Sequence, residues 1–155
     1  MTQTPDTTAP LTIALASDHA AVALKAELVA YLAQLGHAPI DLGPADDSRV
    51  DYPDYGYKLA EAVASGVARF GVALCGSGIG ISIAVNRHPA LRCALVSEPL
   101  SAALAREHNN ANAIAMGARL TGPDMAKACL DAFLYAEFGG GRHEGRVEKL
   151  SNPAF

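Results

Sequence analysis

Apolar residues fall along this chain in short solid runs, each followed by a stretch in which they recur every three or four positions. A solid run of four to six predicts a strand buried on both faces, and the three-to-four spacing predicts a helix covering it. On that reading Leu11–Ala16 is a strand, and Ala20–Leu35 is a helix with Leu24, Leu28, Leu32 and Leu35 on one stripe, stopped by Gly36. Ala38–Leu42 is a second strand, Gly43–Asp54 a polar loop, and Tyr55–Val67 a second helix. Phe70–Cys75 is the central strand, with a helix over Ile79–Arg87 after it. Leu91–Val96 is a fourth strand, and Ser97 is placed to cap a helix from Glu98 to Glu107. Ala111–Met116 is a fifth strand, and Thr121–Tyr135 a last long helix with Pro123 in its first turn.

Five apolar strands alternating with helices predict one α/β domain, a doubly wound α/β/α sandwich of Rossmann-like form around a five-stranded parallel sheet. Residues 1–10 are expected to be a flexible leader, 11–150 the domain, and 137–155 a glycine-rich tail. Half of the 155 residues are hydrophobic and 18% are charged, as in a folded soluble chain. A net charge of −4 with no basic stripe argues against nucleic acid. No run approaches the roughly 20 apolar residues of a membrane span, and the leader lacks the regions of a signal peptide. Three distant cysteines make no disulfide framework, so the cytoplasm is the expected compartment. Five histidines without close spacing give no reason to expect a metal.

The chemistry concentrates where the central strand ends, in Cys75-Gly76-Ser77-Gly78-Ile79-Gly80. A strand turning through glycines into a helix bares N–H groups at one point, which suits a phosphate or a developing oxyanion. Neither the Gly-x-Gly-x-x-Gly spacing of a dinucleotide site nor the Gly-Lys-Ser/Thr of a nucleotide loop is present. A thiol at such a turn suits a nucleophile or base. In doubly wound sheets, ligands bind at the carboxyl ends of the strands. That edge collects Asp18 and His19, Cys75 to Gly80, Ser97 and Arg119, while Arg142 and Arg146 stand four apart in the tail. Arginine forks suit phosphate. Together these groups describe a small phosphorylated substrate deprotonated beside a carbonyl. Cys93 and Cys129 read as core thiols, and His37, His88 and His143 receive no role.

Ser17-Asp18-His19-Ala20, Asp51-Tyr52-Pro53, Cys75 to Gly80, Ala84-Val85-Asn86-Arg87, Ser97-Glu98-Pro99, His108-Asn109 and Gly140-Gly141-Arg142-His143 occur in an order that resembles ribose-5-phosphate isomerase type B. The likeness runs from about Leu11 to Leu150. It implies interconversion of ribose 5-phosphate and ribulose 5-phosphate through an enediolate, without a cofactor. By the same likeness Cys75 is the base between C2 and C1, and Ser77 moves protons between the sugar oxygens. The amides of Gly76, Gly78 and Gly80 hold the enediolate, and Asp18 and His108 open the furanose ring. His19, Arg119, Arg142 and Arg146 grip the phosphate; Asn109 and Tyr52 line the sugar. Ile81 stands where some members carry a glutamate base, which puts this chain in the cysteine branch, and His19 favours a pentose over a tetrose. Isomerases of allose 6-phosphate, galactose 6-phosphate or a tetrose phosphate, and a sugar-phosphate-binding regulator without turnover, remain the alternatives.

Strand direction adds an expectation about assembly. A helix in this fold runs back along its strands and ends at the edge opposite the ligand site. His108 and the tail therefore start on the wrong edge of their own subunit. A homodimer with shared active sites, the tail packing on the partner, resolves this; a dimer of dimers is left open.

Overall fold

A computed structural model describes residues 9–155; the leader lies almost wholly outside the described residues. Five strands form one parallel sheet: β1 Thr12–Ser17, β2 Ala38–Asp41, β3 Phe70–Cys75, β4 Cys93–Leu95 and β5 Ala113–Gly117. Their order is β2-β1-β3-β5-β4. The helices are α1 Val22–Gln34, α2 Tyr52–Ala64, α3 Ile79–Val85, α4 Pro99–Asn109, α5 Pro123–Tyr135 and α6 Glu144–Ser151. Short 3-10 turns lead into α1 (His19–Ala21) and α6 (Gly141–His143). Among the described residues no helix is long and apolar enough to cross a membrane.

Alternation along the strands sorts the core into two unlike layers. Ile13, Leu15, Val72, Leu74, Ile114 and Met116 point to one face and pack with α1, α4 and α5. Ala14, Ala16, Ala73, Cys75, Ala113 and Ala115 point to the other and meet α2 and α3. The large side chains carry most of the hydrophobic drive, each worth about 1.5–3 kcal/mol when fully buried. The small ones let α2 and α3 lie close on the sheet. A methyl group at Gly71 would sit 3.1 Å from Leu59, and one at Gly56 only 2.8 Å from Ala84 Cβ. Cys75 belongs to this alanine face, so its thiol emerges where backbone can approach it.

The topology places the crevice. Chain leaving β1 and β5 enters α1 and α5 on one face, whereas chain leaving β3 enters α3 on the other. The carboxyl end of β3 is thus flanked on both sides by loops that turn away from it, the switch point at which such sheets take ligands.

Several expected boundaries move, each for a visible reason. The fourth strand shrinks from Leu91–Val96 to Cys93–Leu95 because side-chain amides supply the partners at its start. Asn86 Oδ1 accepts the Cys93 N–H at 2.8 Å, and Asn112 Oδ1 accepts that of Arg92 at 2.8 Å. α4 is capped by Glu98, whose carboxylate accepts the Ser101 N–H, in place of Ser97. α2 starts three residues early, at Tyr52, with Pro53 in its first turn, where a missing N–H costs nothing. α5 starts at Pro123 without a side-chain cap from Thr121. The tail folds into α6 and turns back onto its own subunit, since Gly139 N–H donates to Glu107 O at 2.9 Å.

Candidate active site

Each glycine of the 76–80 turn answers a different neighbour. Gly78 adopts φ +77, and a methyl there would meet the Met116 carbonyl carbon at 2.7 Å. Gly117, across the sheet, has no room for a methyl against Ser77 C, 2.5 Å away. Those two positions press the turn onto the end of β5. A methyl at Gly80 would meet the Tyr52 ring at 2.6 Å, and one at Gly76 would meet the Arg119 guanidinium at 3.3 Å. Gly78→Ala should therefore cost about 3 kcal/mol, or roughly 6–12 °C of melting temperature in a chain of this size. Gly122→Ala, with open space around it and φ −68, should cost far less. Paired thermal melts check this.

Around that turn lies a cavity of about 270 Å³. Asp18 enters from the end of β1, Tyr52 from the start of α2, Arg119 from the end of β5, and Cys75, Gly76, Ser77 and Gly80 form its floor. Gly78 lies buried beneath that floor. Cys75 Sγ accepts the Gly78 N–H at 3.1 Å, and Ser77 Oγ accepts the Ile79 N–H at 3.2 Å. Two amides of the turn are thus already taken, while those of Gly80 and Ile81, in the first turn of α3, have no carbonyl one turn behind them. Asp18 is 8% exposed; Oδ1 accepts the Ala20 N–H at 3.0 Å, and its own N–H donates to Leu74 O, lashing the end of β1 to β3. Asp18 is therefore both a helix cap and a wall of the cavity. Arg119 forms no ion pair among the described residues, whose two pairs are Lys25–Asp41 and Lys127–Glu27.

His19 stands beside this group without lining the cavity. Its Nδ1 lies 3.2 Å from Val50 O and 3.3 Å from Val50 N. That contact fixes the ring against the loop before α2 and leaves Nε2 without a partner among the described residues. The other cysteines are core groups, since burial pushes the Cys93 thiol up to about 12 and raises that of Cys129.

Four residues expected at the site are elsewhere in the subunit. His108 and Asn109 end α4, and Asn109 lines a hollow at the start of β4 and β5 with Asn86, Leu91 and Leu150. Cys75 pairs in register with Gly117 at the far end of β5, so a strand length of roughly 15 Å intervenes. Arg142 and Arg146 lie exposed at the start of α6. His143, to which the sequence assigned no role, stacks on His108 with ring centroids 4.5 Å apart and planes 15° apart. Desolvation first, then the neighbouring His108, Arg142 and Arg146, hold the His143 imidazole below its ordinary range. The single signal for it was its place in Gly140-Gly141-Arg142-His143.

A switch-point cavity holding a thiol, a carboxylate, a guanidinium without an ion pair among the described residues and open amides has the groups that suit proton transfer on a small anionic substrate. The family model for Ribose/Galactose Isomerase matches residues 13–150. Ribose-5-phosphate isomerase B of Escherichia coli is 45% identical over 139 residues, covering 90% of this chain and 93% of that protein. D-erythrulose-4-phosphate isomerase of Pectobacterium atrosepticum is 42% identical, covering 90% and 93%. The solved ribose-5-phosphate isomerase B of Clostridium thermocellum superposes with a TM-score of 0.90 at 45% identity, covering 91% of this chain and 95% of that one. This chain belongs to the ribose/galactose isomerase family, and its class is that of the sugar-phosphate isomerases, intramolecular oxidoreductases.

Proposed function

We propose that the protein interconverts ribose 5-phosphate and ribulose 5-phosphate, with Cys75 as the base. The observation that carries this reading is the meeting of Cys75 Sγ, the Asp18 carboxylate, Ser77 Oγ and the Arg119 guanidinium around one 270 Å³ recess. That volume is just under the roughly 300–1,000 Å³ common for small-molecule sites, as suits a five-carbon sugar phosphate in a site still open on one side.

Asp18 and His108 open the furanose, one taking the proton of the anomeric hydroxyl and the other protonating the ring oxygen. The thiolate of Cys75 then removes the proton on C2 of the open-chain aldose and returns it to C1. Ser77 Oγ passes the hydroxyl proton from O2 to O1, so the sugar gains and loses nothing overall. Free N–H groups of Gly80 and Ile81, with the backbone of Gly76, face the negative charge that develops on the enediolate oxygens, where preorganised donors act most strongly. Phosphate is held by arginine: Arg119 from the same subunit, Arg142 and Arg146 from a partner's tail. His19 Nε2 is the remaining donor beside it, and Tyr52 and Asn109 flank the sugar.

Similarity to the erythrulose-phosphate enzyme gives the competing reading, a tetrose phosphate as substrate. Purified protein incubated with ribose 5-phosphate, erythrose 4-phosphate, allose 6-phosphate and galactose 6-phosphate separates the two. The expected result is highest kcat/KM on ribose 5-phosphate, unchanged after dialysis against a chelator, because a thiolate and hydrogen-bond donors suffice for the proton transfers. A tetrose preference would reassign the substrate, and no turnover of any aldose phosphate by folded protein would favour a binding regulator.

A further inference from the structure

The two elements that carry the site residues lying away from the cavity, α4 and α6, are tied together in their own subunit. They share one frame, and its hub is a residue with no place in the reaction above. Arg92, just before β4, sends its guanidinium to the end of α4: Nε lies 3.1 Å from Asn109 O and 3.1 Å from Asn110 O, and Nη2 lies 2.9 Å from Asn110 O. Its Nη1 reaches Ser151 Oγ, at the end of α6, at 3.4 Å. The backbone beneath is fixed as well, since Arg92 N–H donates to Asn112 Oδ1 and Arg92 O accepts the Asn112 N–H at 3.1 Å.

The physical logic is that of a helix end. The last carbonyls of α4 have no partners within the helix and carry its negative dipole end. A cation that collects them satisfies these acceptors and the negative dipole end together, and such charge-assisted bonds are about twice as strong as neutral ones. Arg92 has no carboxylate partner among the described residues, so these carbonyls are what its charge meets. α4 closes in Asn110 at φ 45, a left-handed turn at which the Asn109 and Asn110 carbonyls both come within reach of the Arg92 Nε. On the same unit His108 stacks on His143, and Gly139 N–H holds Glu107 O.

We propose that Arg92 is a positioning residue, locking the end of α4 and the helix α6 into one rigid arm that presents His108, Asn109, Arg142 and Arg146 together to a sugar phosphate. This rests on the isomerase reading above for its consequence, but not for its geometry. Ring opening and phosphate grip then depend on one side chain that touches neither. A displacement of about 1 Å in such groups costs on the order of 10²-fold in rate.

Two readouts on Arg92→Met separate the parts. In the free protein with ¹³C-labelled histidine, the ring Cε1–H signals of His108 and His143 should shift and lose their mutual ring-current effect, while those of His19 and His37 stay in place. In turnover, kcat should fall and KM rise, together lowering kcat/KM by about 10²-fold, and Arg92→Lys should recover part of it by restoring one charged contact. If Arg92→Met does not fold, Arg92→Lys is read in the same spectrum. Unmoved His108 and His143 signals in a folded variant overturn the inference, whatever the parent protein turns over. Moved signals with kcat/KM within a few-fold of the parent overturn its functional half. A parent inactive on every aldose phosphate would refute the isomerase reading instead, and the spectrum would still judge the arm.

Discussion

Cys75→Ala is expected to fold normally and to lose about 10²–10⁴-fold in turnover or more, the usual worth of a positioned general base. The side chain is 4% exposed and its sulphur accepts the Gly78 N–H at the cavity floor. On the proposed mechanism, removing it takes away the group that receives and returns the carbon-bound proton. Asp18 is committed in part to the Ala20 N–H, and Ser77 Oγ to the Ile79 N–H. A water filling the space left by sulphur is a far weaker base. The loss should fall on kcat with little change in KM, because the arginines proposed to hold the phosphate are other residues. Iodoacetamide should inactivate the wild type, and ribose 5-phosphate should protect it. Cys93→Ala and Cys129→Ala should stay active, any loss following stability, since burial keeps both thiols protonated at neutral pH. Near-wild-type turnover in Cys75→Ala would move the base to another group and remove the mechanism.

The legible part of this molecule is the part built from contiguous sequence. Phe70–Cys75 and the glycines after it read correctly because a buried strand needs a solid apolar run, and the turn beyond it needs residues without side chains. The doubly wound sheet followed from five such runs alternating with helical spacing. What escaped were interactions that depend on distant residues. Nothing local in Leu91–Val96 shows that Asn86 and Asn112 will take over the partners at that strand's start. Ser97 is a good cap by type, yet the longer Glu98 side chain reaches Ser101 N–H from one residue further on. His143 carried no periodic signal, because its contact with His108 exists only once the tail folds back on α4. Arg92 sat unnoticed in an apolar run for the same reason. The glycines show a milder form of the limit. Their spacing marked a nest, but only the fold shows that Gly78 and Gly117 also fit two backbones together and that Gly80 makes room for Tyr52.

Mixing inactive Cys75→Ala with inactive His108→Asn protein, under conditions that exchange subunits, is expected to restore activity. His108 belongs to the amino end of β4 and β5 in its own chain, a strand length of roughly 15 Å from the carboxyl end where Cys75 sits. An imidazole cannot span that depth, and the sheet between is filled by Ile114, Ala115 and Met116, all 0% exposed. If His108 helps open the sugar ring, it does so at a second subunit's cavity. A two-fold axis makes that exchange reciprocal, each chain lending its arm and receiving one. The solvent face of α3 offers a surface for the contact beside the cavity: Ile79 and Ile83, four apart, are 51% and 53% exposed, and Leu95 on the edge strand is 47% exposed. In a mixed dimer one site joins the mutant cysteine to the mutant histidine's replacement, and the other holds both wild-type residues. Random exchange therefore restores about a quarter of wild-type sites. Arg142→Ala mixed with Cys75→Ala should behave like His108→Asn, because the arginine travels on the same arm. Proven exchange with no recovered activity in either mixture would return His108 and the tail to their own subunit's site and remove the shared-site dimer.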